Sequence, residues 1–306
     1  MRYFRYWLLW LLCGALGWGT VLPGCASGPQ VLTIPVVSDP FKLPSYGTKD
    51  YGSAVAAIMS VMVRDFKLPP IDGGSVTIYP SQASFEAGVV AQSAERSEQL
   101  RKQLGPRAKQ ATEAESVLAA TTLAVGSNAV GMYKRVLINE WRVTKYSWPE
   151  WIRLLTHELT HTAQRELVDG RPTAPHQWLT EGFAEWAGYK VVDTFRAQDF
   201  AYSRKRALDL IGAATSYQTF PSLRQLARNP DWITWSRTLR RASTYGQAFI
   251  AVDFLIEEKG LPAVIEYFRF IAKATNRERN FAVAFGESLA GFDGRFSEHL
   301  KVLLGK

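Results

Sequence analysis

The stretch LLTHELTHTAQ, residues 154–164, decides how this chain is read. It holds two of the chain's four histidines, four positions apart with a glutamate between them, in a run otherwise patterned as an amphipathic helix. The start of that helix is written out: Ser147-Trp148-Pro149-Glu150 is a capping-box pattern with proline inside the first turn. Gly170 stands where a C-terminal cap belongs, so the spacing predicts a helix ending near Val168. Positions i and i+4 share a helix face about one turn apart, so His157 and His161 can aim two neutral imidazoles at one ion, such as zinc. Glu158 is rotated by about 100° from His157. It borders that ion without ligating it, which is the place of a general base acting on water. In so histidine-poor a chain, an accidental H-E-x-x-H is expected at a rate on the order of 1%.

Two histidines do not complete a catalytic zinc site, which takes a third protein ligand and keeps one position open. Downstream, QWLTEGFAEWAGY (177–189) offers Glu181 and, one turn further along the same face, Glu185. His176, in a stretch read as loop, is a rival third ligand. The run WLTEGFAEW resembles the second zinc motif of the gluzincin metallopeptidases, close to the W-L-N-E-G-F-A of zinc aminopeptidases and to peptidase MA-like domains. That resemblance implies Glu181 as third ligand, Glu185 as the acceptor that orients a ligand histidine, Zn2+ as cofactor and a peptide or protein as substrate. It also implies a tyrosine at a helix start that supports the oxyanion. Tyr245 in STYGQAF, 64 residues beyond Glu181, matches it loosely.

The resemblance follows the order of elements over about 75–304, with strong motif identity confined to 157–161 and 178–186. It departs from the aminopeptidases in three ways. Nineteen residues separate His161 from Glu181, one more than in their pattern; the G-x-M-E-N motif is missing; and there is no room for their large N-terminal β domain. VGSNAVGMY (125–133) occupies a comparable place, and its neighbouring strand is expected to pair with an extended peptide along its edge.

The N-terminus speaks of export. MRYFRYWLLWLLCGALGWGTVLPGC carries Arg2 and Arg5, an apolar run and a small-residue context, the pattern of a secretory signal over 1–24. Leu22-Pro23-Gly24-Cys25 resembles the bacterial lipobox, which implies acylation of Cys25; Ala26 after it implies, by the same resemblance, an outer-membrane anchor facing the periplasm. Cys13 and Cys25 are the only cysteines, so the processed chain has no pair for a disulfide. Residues 25–49, rich in Pro, Gly and Ser, read as a tether to the membrane. Lysine and arginine exceed acidic residues by 8, which favours anionic surfaces, while no nucleic-acid motif is present. A hydrophobic share of 47% against 21% charged excludes wholesale disorder.

The expected fold is α+β in one domain over 50–306: a small mixed sheet with helices over 50–146, then a mainly helical part over 147–306. By resemblance, its catalytic core is thermolysin-like. Helices are expected at 51–67, 82–104, 178–211, 221–228, 243–258, 260–274 and 295–304, with strands at 75–81 and two within 116–143. The expected function is zinc-dependent peptide-bond hydrolysis at the cell envelope. The rivals are a zinc-stabilised binding lipoprotein without turnover and a metal-free interaction protein.

Overall fold

The computed structural model describes residues 28–35, 45–124, 127–171, 173, 175–215, 220–274 and 276–305. The expected signal segment and Cys25 lie outside the described residues. The architecture is of the α+β class: a four-stranded mixed sheet carried by many helices.

The sheet is built from β1 (Gln30–Thr33), β2 (Ser75–Tyr79), β3 (Ala129–Met132) and β4 (Arg135–Asn139), in the order β1-β2-β4-β3. β2 and β4 run parallel, with Val76 opposite Val136 and Ile78 opposite Ile138; the two edge strands are antiparallel to their neighbours. Both faces are covered, which explains why β2 is buried at every position. On one face, Val76, Ile78, Val136 and Ile138 join the main core with α1 (Tyr51–Arg64) and later helices. On the other, Tyr79, Val130, Met132 and Leu137 meet Phe85, Val89 and Ala119 from a hairpin of α2 (Gln82–Leu104) and α3 (Ala108–Ala124).

After the short α4 (Glu140–Val143) come the two helices of the motifs, α5 (Trp148–Leu167) and α6 (Gln177–Thr194). α5 starts as its residues predict: the Glu150 carboxylate accepts from the Ser147 backbone N–H at 3.0 Å and hydroxyl at 2.7 Å. It ends with Gly170 at φ +63°, its N–H bonded to the Arg165 carbonyl at 2.8 Å. Trp151, Ile152, Leu155, Leu159 and Ala163 face the core. The buried threonines among them are satisfied within the helix, Thr156 donating to Ile152 O at 2.9 Å and Thr160 to Thr156 O at 2.7 Å.

The helical part is completed by α7 (Phe200–Thr215), α8 (Asn229–Thr238), α9 (Arg241–Lys259), α10 (Leu261–Lys273), α11 (Arg277–Phe285) and α12 (Leu289–Leu303). α6 packs on α9 at backbone distance. A Cβ on Gly182 would lie 2.3 Å from the Ala248 carbonyl oxygen, so glycine is required where the two helices touch. This contact sets α9, and with it Tyr245, against the motif helices.

Several expectations are corrected. The apolar run 116–124 is the end of α3 rather than a strand, because the helical hairpin buries it on one side; periodicity alone cannot separate the two. The helix expected over 178–211 breaks into α6 and α7 at a turn where Arg196, not glycine, takes φ +54°. Residues 223–226 form turns instead of a helix, and α8 and α11 had no counterpart in the expectation. The expected tether contains β1, whose Val31, Leu32 and Thr33 suit a strand and pair with β2. None of the described helices is long and apolar enough to cross a membrane.

Candidate metal centre

α5 and α6 bring three ligand-type atoms together. His161 Nε2 lies 3.0 Å from His157 Nε2, and each lies 3.4 Å from Glu181 Oε2. Among the described residues, His157, His161 and Glu181 form the one group of its kind that could hold a metal ion. A tetrahedral ion with bonds of about 2.0–2.1 Å has ligand–ligand edges of about 3.3 Å. The triangle has that size.

Each donor is turned toward the others by a second contact. His161 Nδ1 meets Gln164 Oε1 at 2.9 Å, while Gln164 Nε2 donates to the Thr180 carbonyl of α6 at 3.0 Å. The amide is thereby oriented as an acceptor for an Nδ1–H, which leaves the His161 Nε2 lone pair free. His157 Nδ1 sits obliquely 3.2 Å from Glu185 Oε1, and Glu185 is clamped by Arg153 Nη1 at 2.8 and 2.6 Å. Gln177 Nε2 donates to Glu181 Oε1 at 2.8 Å, so the other oxygen faces the histidines. With Nδ1 of each histidine carrying a proton, both Nε2 atoms and Glu181 Oε2 converge on one point, a donor set that suits a cation.

The electrostatics agree. Burial pushes the His157 imidazole pKa down, but the Glu181 and Glu185 carboxylates outweigh it and raise it well above the usual value. Burial likewise raises Glu181, and His161 with His157 reverses that to hold it far below the carboxylate range. Glu185 is buried too, yet Arg153 and His157 keep it ionised. The pocket stabilises positive charge where the triangle lies.

Glu158 is buried beside the ligands, and its Oε2 accepts from the Gly131 backbone N–H of β3 at 2.6 Å. Gly131 is obligatory there: a Cβ would lie 2.5 Å from the Glu158 carbonyl oxygen and 3.0 Å from His161 Cβ. Tyr245, in the first turns of α9, has its ring 6.1 Å from the His157 ring and its hydroxyl 3.3 Å from Arg241 Nη2. Burial foremost, and then the Glu181 charge, push its phenol pKa up against the opposing Arg241, so it stays a protonated donor. Two cavities, of about 760 and 350 Å³, adjoin the centre; His157, Glu158, Arg241 and Tyr245 line both.

The structure therefore gathers His157, Glu158, His161, Glu181, Glu185 and Tyr245 around one point. His176 is elsewhere: it is fully buried, with Nδ1 2.8 Å from Tyr267 Oη and Nε2 3.0 Å from Glu278 Oε1. It holds the start of α6 and is not a ligand. Gln164, Gln177, Gly131, Arg153 and Arg241 went unread in the sequence. Gln164 carried a usable signal, an amide three residues after a ligand histidine; Arg153 and Arg241 carried none, since a helix arginine is ordinary. Compared with protein-family models, with curated proteins and with solved structures, the chain has no match.

Proposed function

We propose that this protein is a zinc-dependent peptide-bond hydrolase of gluzincin type, with a thermolysin-like catalytic core. The observation that carries the reading is the convergence of His157, His161 and Glu181, at donor separations of 3.0, 3.4 and 3.4 Å, beside a carboxylate that ligates nothing. His157, His161 and Glu181 would hold the ion. When bound, it supplies Lewis acidity to a scissile carbonyl and makes water a ready nucleophile at neutral pH.

The chain's own groups do the rest. Glu158 takes the proton of the attacking water on a carboxylate oxygen and returns it to the departing amine nitrogen. The Tyr245 hydroxyl donates to the oxyanion as the carbonyl carbon becomes tetrahedral. The two cavities that share His157, Glu158 and Tyr245 leave room for a substrate beside the centre. β3 is an edge strand, and its Ala129 and Val130 line the larger cavity, where an extended peptide would lie.

Glu158→Gln is the test. Zinc content is expected to stay the same while cleavage of a broad peptide library falls by about 10²–10⁴-fold. Unchanged cleavage in the zinc-loaded variant ends the assignment. One contact favours a rival reading, a zinc-stabilised binding lipoprotein: Glu158 already spends Oε2 on Gly131 N–H. Zinc content with no hydrolysis of any peptide would select that rival. Export and acylation at Cys25 belong to the same proposal, and Cys25→Ser should move the chain from the membrane to the soluble fraction.

A further inference from the structure

The larger cavity is unequally charged. Six arginines line it (Arg165, Arg171, Arg228, Arg237, Arg241 and Arg277) against three glutamates, with no lysine and no aspartate. The glutamates are all engaged: Glu158 and Glu181 belong to the metal centre, and Glu115 accepts from Arg165 at 2.9 Å. Three of the arginines lie within one short run, Arg228 capping α8, Arg237 in its last turn and Arg241 opening α9. All three are exposed; Arg241 donates to the Tyr245 hydroxyl at 3.3 Å, while Arg228 and Arg237 form no ion pair with a carboxylate of the described residues. Asp231, the one carboxylate between 228 and 241, is exposed and does not line the cavity. Elsewhere the lining is neutral, with Val117, Leu118 and Thr121 of α3 and Ala129 and Val130 of β3.

Unpaired guanidinium groups cost nothing in water. Several on one wall of a cleft, however, raise the local potential and select for anionic ligands, because field lines are focused by the low-dielectric walls. Their planar donors match carboxylate geometry. A bound divalent ion would add to that potential and not offset it. We infer that the α8–α9 wall is a carboxylate-binding subsite for the peptide substrate of this centre. The inference rests on the reading of the cavity as a peptide cleft. The carboxylates can be side chains or the free C-terminus of the substrate; the wall recognises the same chemistry in both.

The test measures binding without turnover. The zinc-loaded full chain carrying Glu158→Gln is titrated calorimetrically with one peptide made in four forms: two Glu or two Gln, each as free acid and as C-terminal amide. The Glu form is expected to bind about 10-fold tighter than the Gln form at low salt, with the gap narrowing at high salt. A preference that follows the free acid instead assigns the wall to the C-terminus. Arg228→Gln with Arg237→Gln should remove most of the preference. Arg237→Glu should invert it toward the same peptide carrying two Lys, titrated as a fifth form, a gain that a merely damaged fold would not produce. Equal affinity for all four forms, no binding, or a preference undiminished in both variants overturns the inference. Acidic-peptide binding with no hydrolysis by the wild type would sink the peptidase reading and leave the subsite standing; hydrolysis blind to charge would do the reverse.

Discussion

Gln164 shows most directly how a single side chain tunes this centre. It spans two helices, accepting at His161 Nδ1 and donating to the Thr180 carbonyl, so it sets both a tautomer and the spacing of two ligands. Gln164→Ala should leave the fold intact and weaken zinc binding by about 10–100-fold, measured by competition with a chromophoric chelator. Glu185 plays the corresponding part for His157, but its removal also strands the Arg153 guanidinium, so the glutamine is the cleaner probe. At this scale much was legible. The candidate ligands His157 and His161 follow from a four-residue spacing, and Glu158 from its place between them. Arg241 was not legible: Tyr245 lies only one helical turn away, but the cavity that gives the pair a role is assembled from distant elements.

Among the elements, β3 and α6 are the ones whose placement matters. β3 reaches α5 only because Gly131 has no side chain. Gly131→Ala should cost about 1–3 kcal/mol of unfolding free energy in urea titrations, since the clash is with helix backbone that cannot swing away. It should also withdraw the N–H from Glu158. At the start of α6, His176 is buried, accepting from the Tyr267 hydroxyl and facing Glu278, with Arg277 nearby. Burial lowers its pKa below 6.5, with Glu278 opposing and Arg277 assisting. The unfolded chain therefore takes the proton first, and stability falls as pH drops through 6.5 until the folded imidazole also protonates. Urea midpoints at pH 7.5 and pH 5 should separate less in His176→Gln than in the parent, both zinc-loaded. The sequence placed His176 in a loop with no partner in view; its partners sit 91 and 102 residues away.

For the whole molecule, the question is how much the ion holds. The main core joins α1, α5, α6, α9, α10 and the sheet through large buried side chains such as Trp151, Trp178 and Phe183. Removing metal should therefore loosen the α5–α6 junction without unfolding the chain. At a hundredfold excess over its dissociation constant, zinc contributes about 2.7 kcal/mol. For a domain of this size that is a rise of about 5–10 °C in melting temperature, reversed by chelator. A chain that unfolds outright on chelation would mean that the core is not self-sufficient.

By itself, the sequence determined the helix of the two histidines with its start and end, the two β-sheet strands with clear alternation, and which three residues the candidate metal centre brings together. Each of these depends on contacts within a few residues, where helix periodicity and capping chemistry act. Only the tertiary structure decided the rest. It converted the run 116–124 into helix, drew 30–33 into the sheet, and excluded His176 from the centre. It also set Gly131 against Glu158 and gathered Arg228, Arg237 and Arg241 on one wall of the cleft. Those outcomes depend on which distant surfaces meet, and burial, close approach and field strength exist only once they have met.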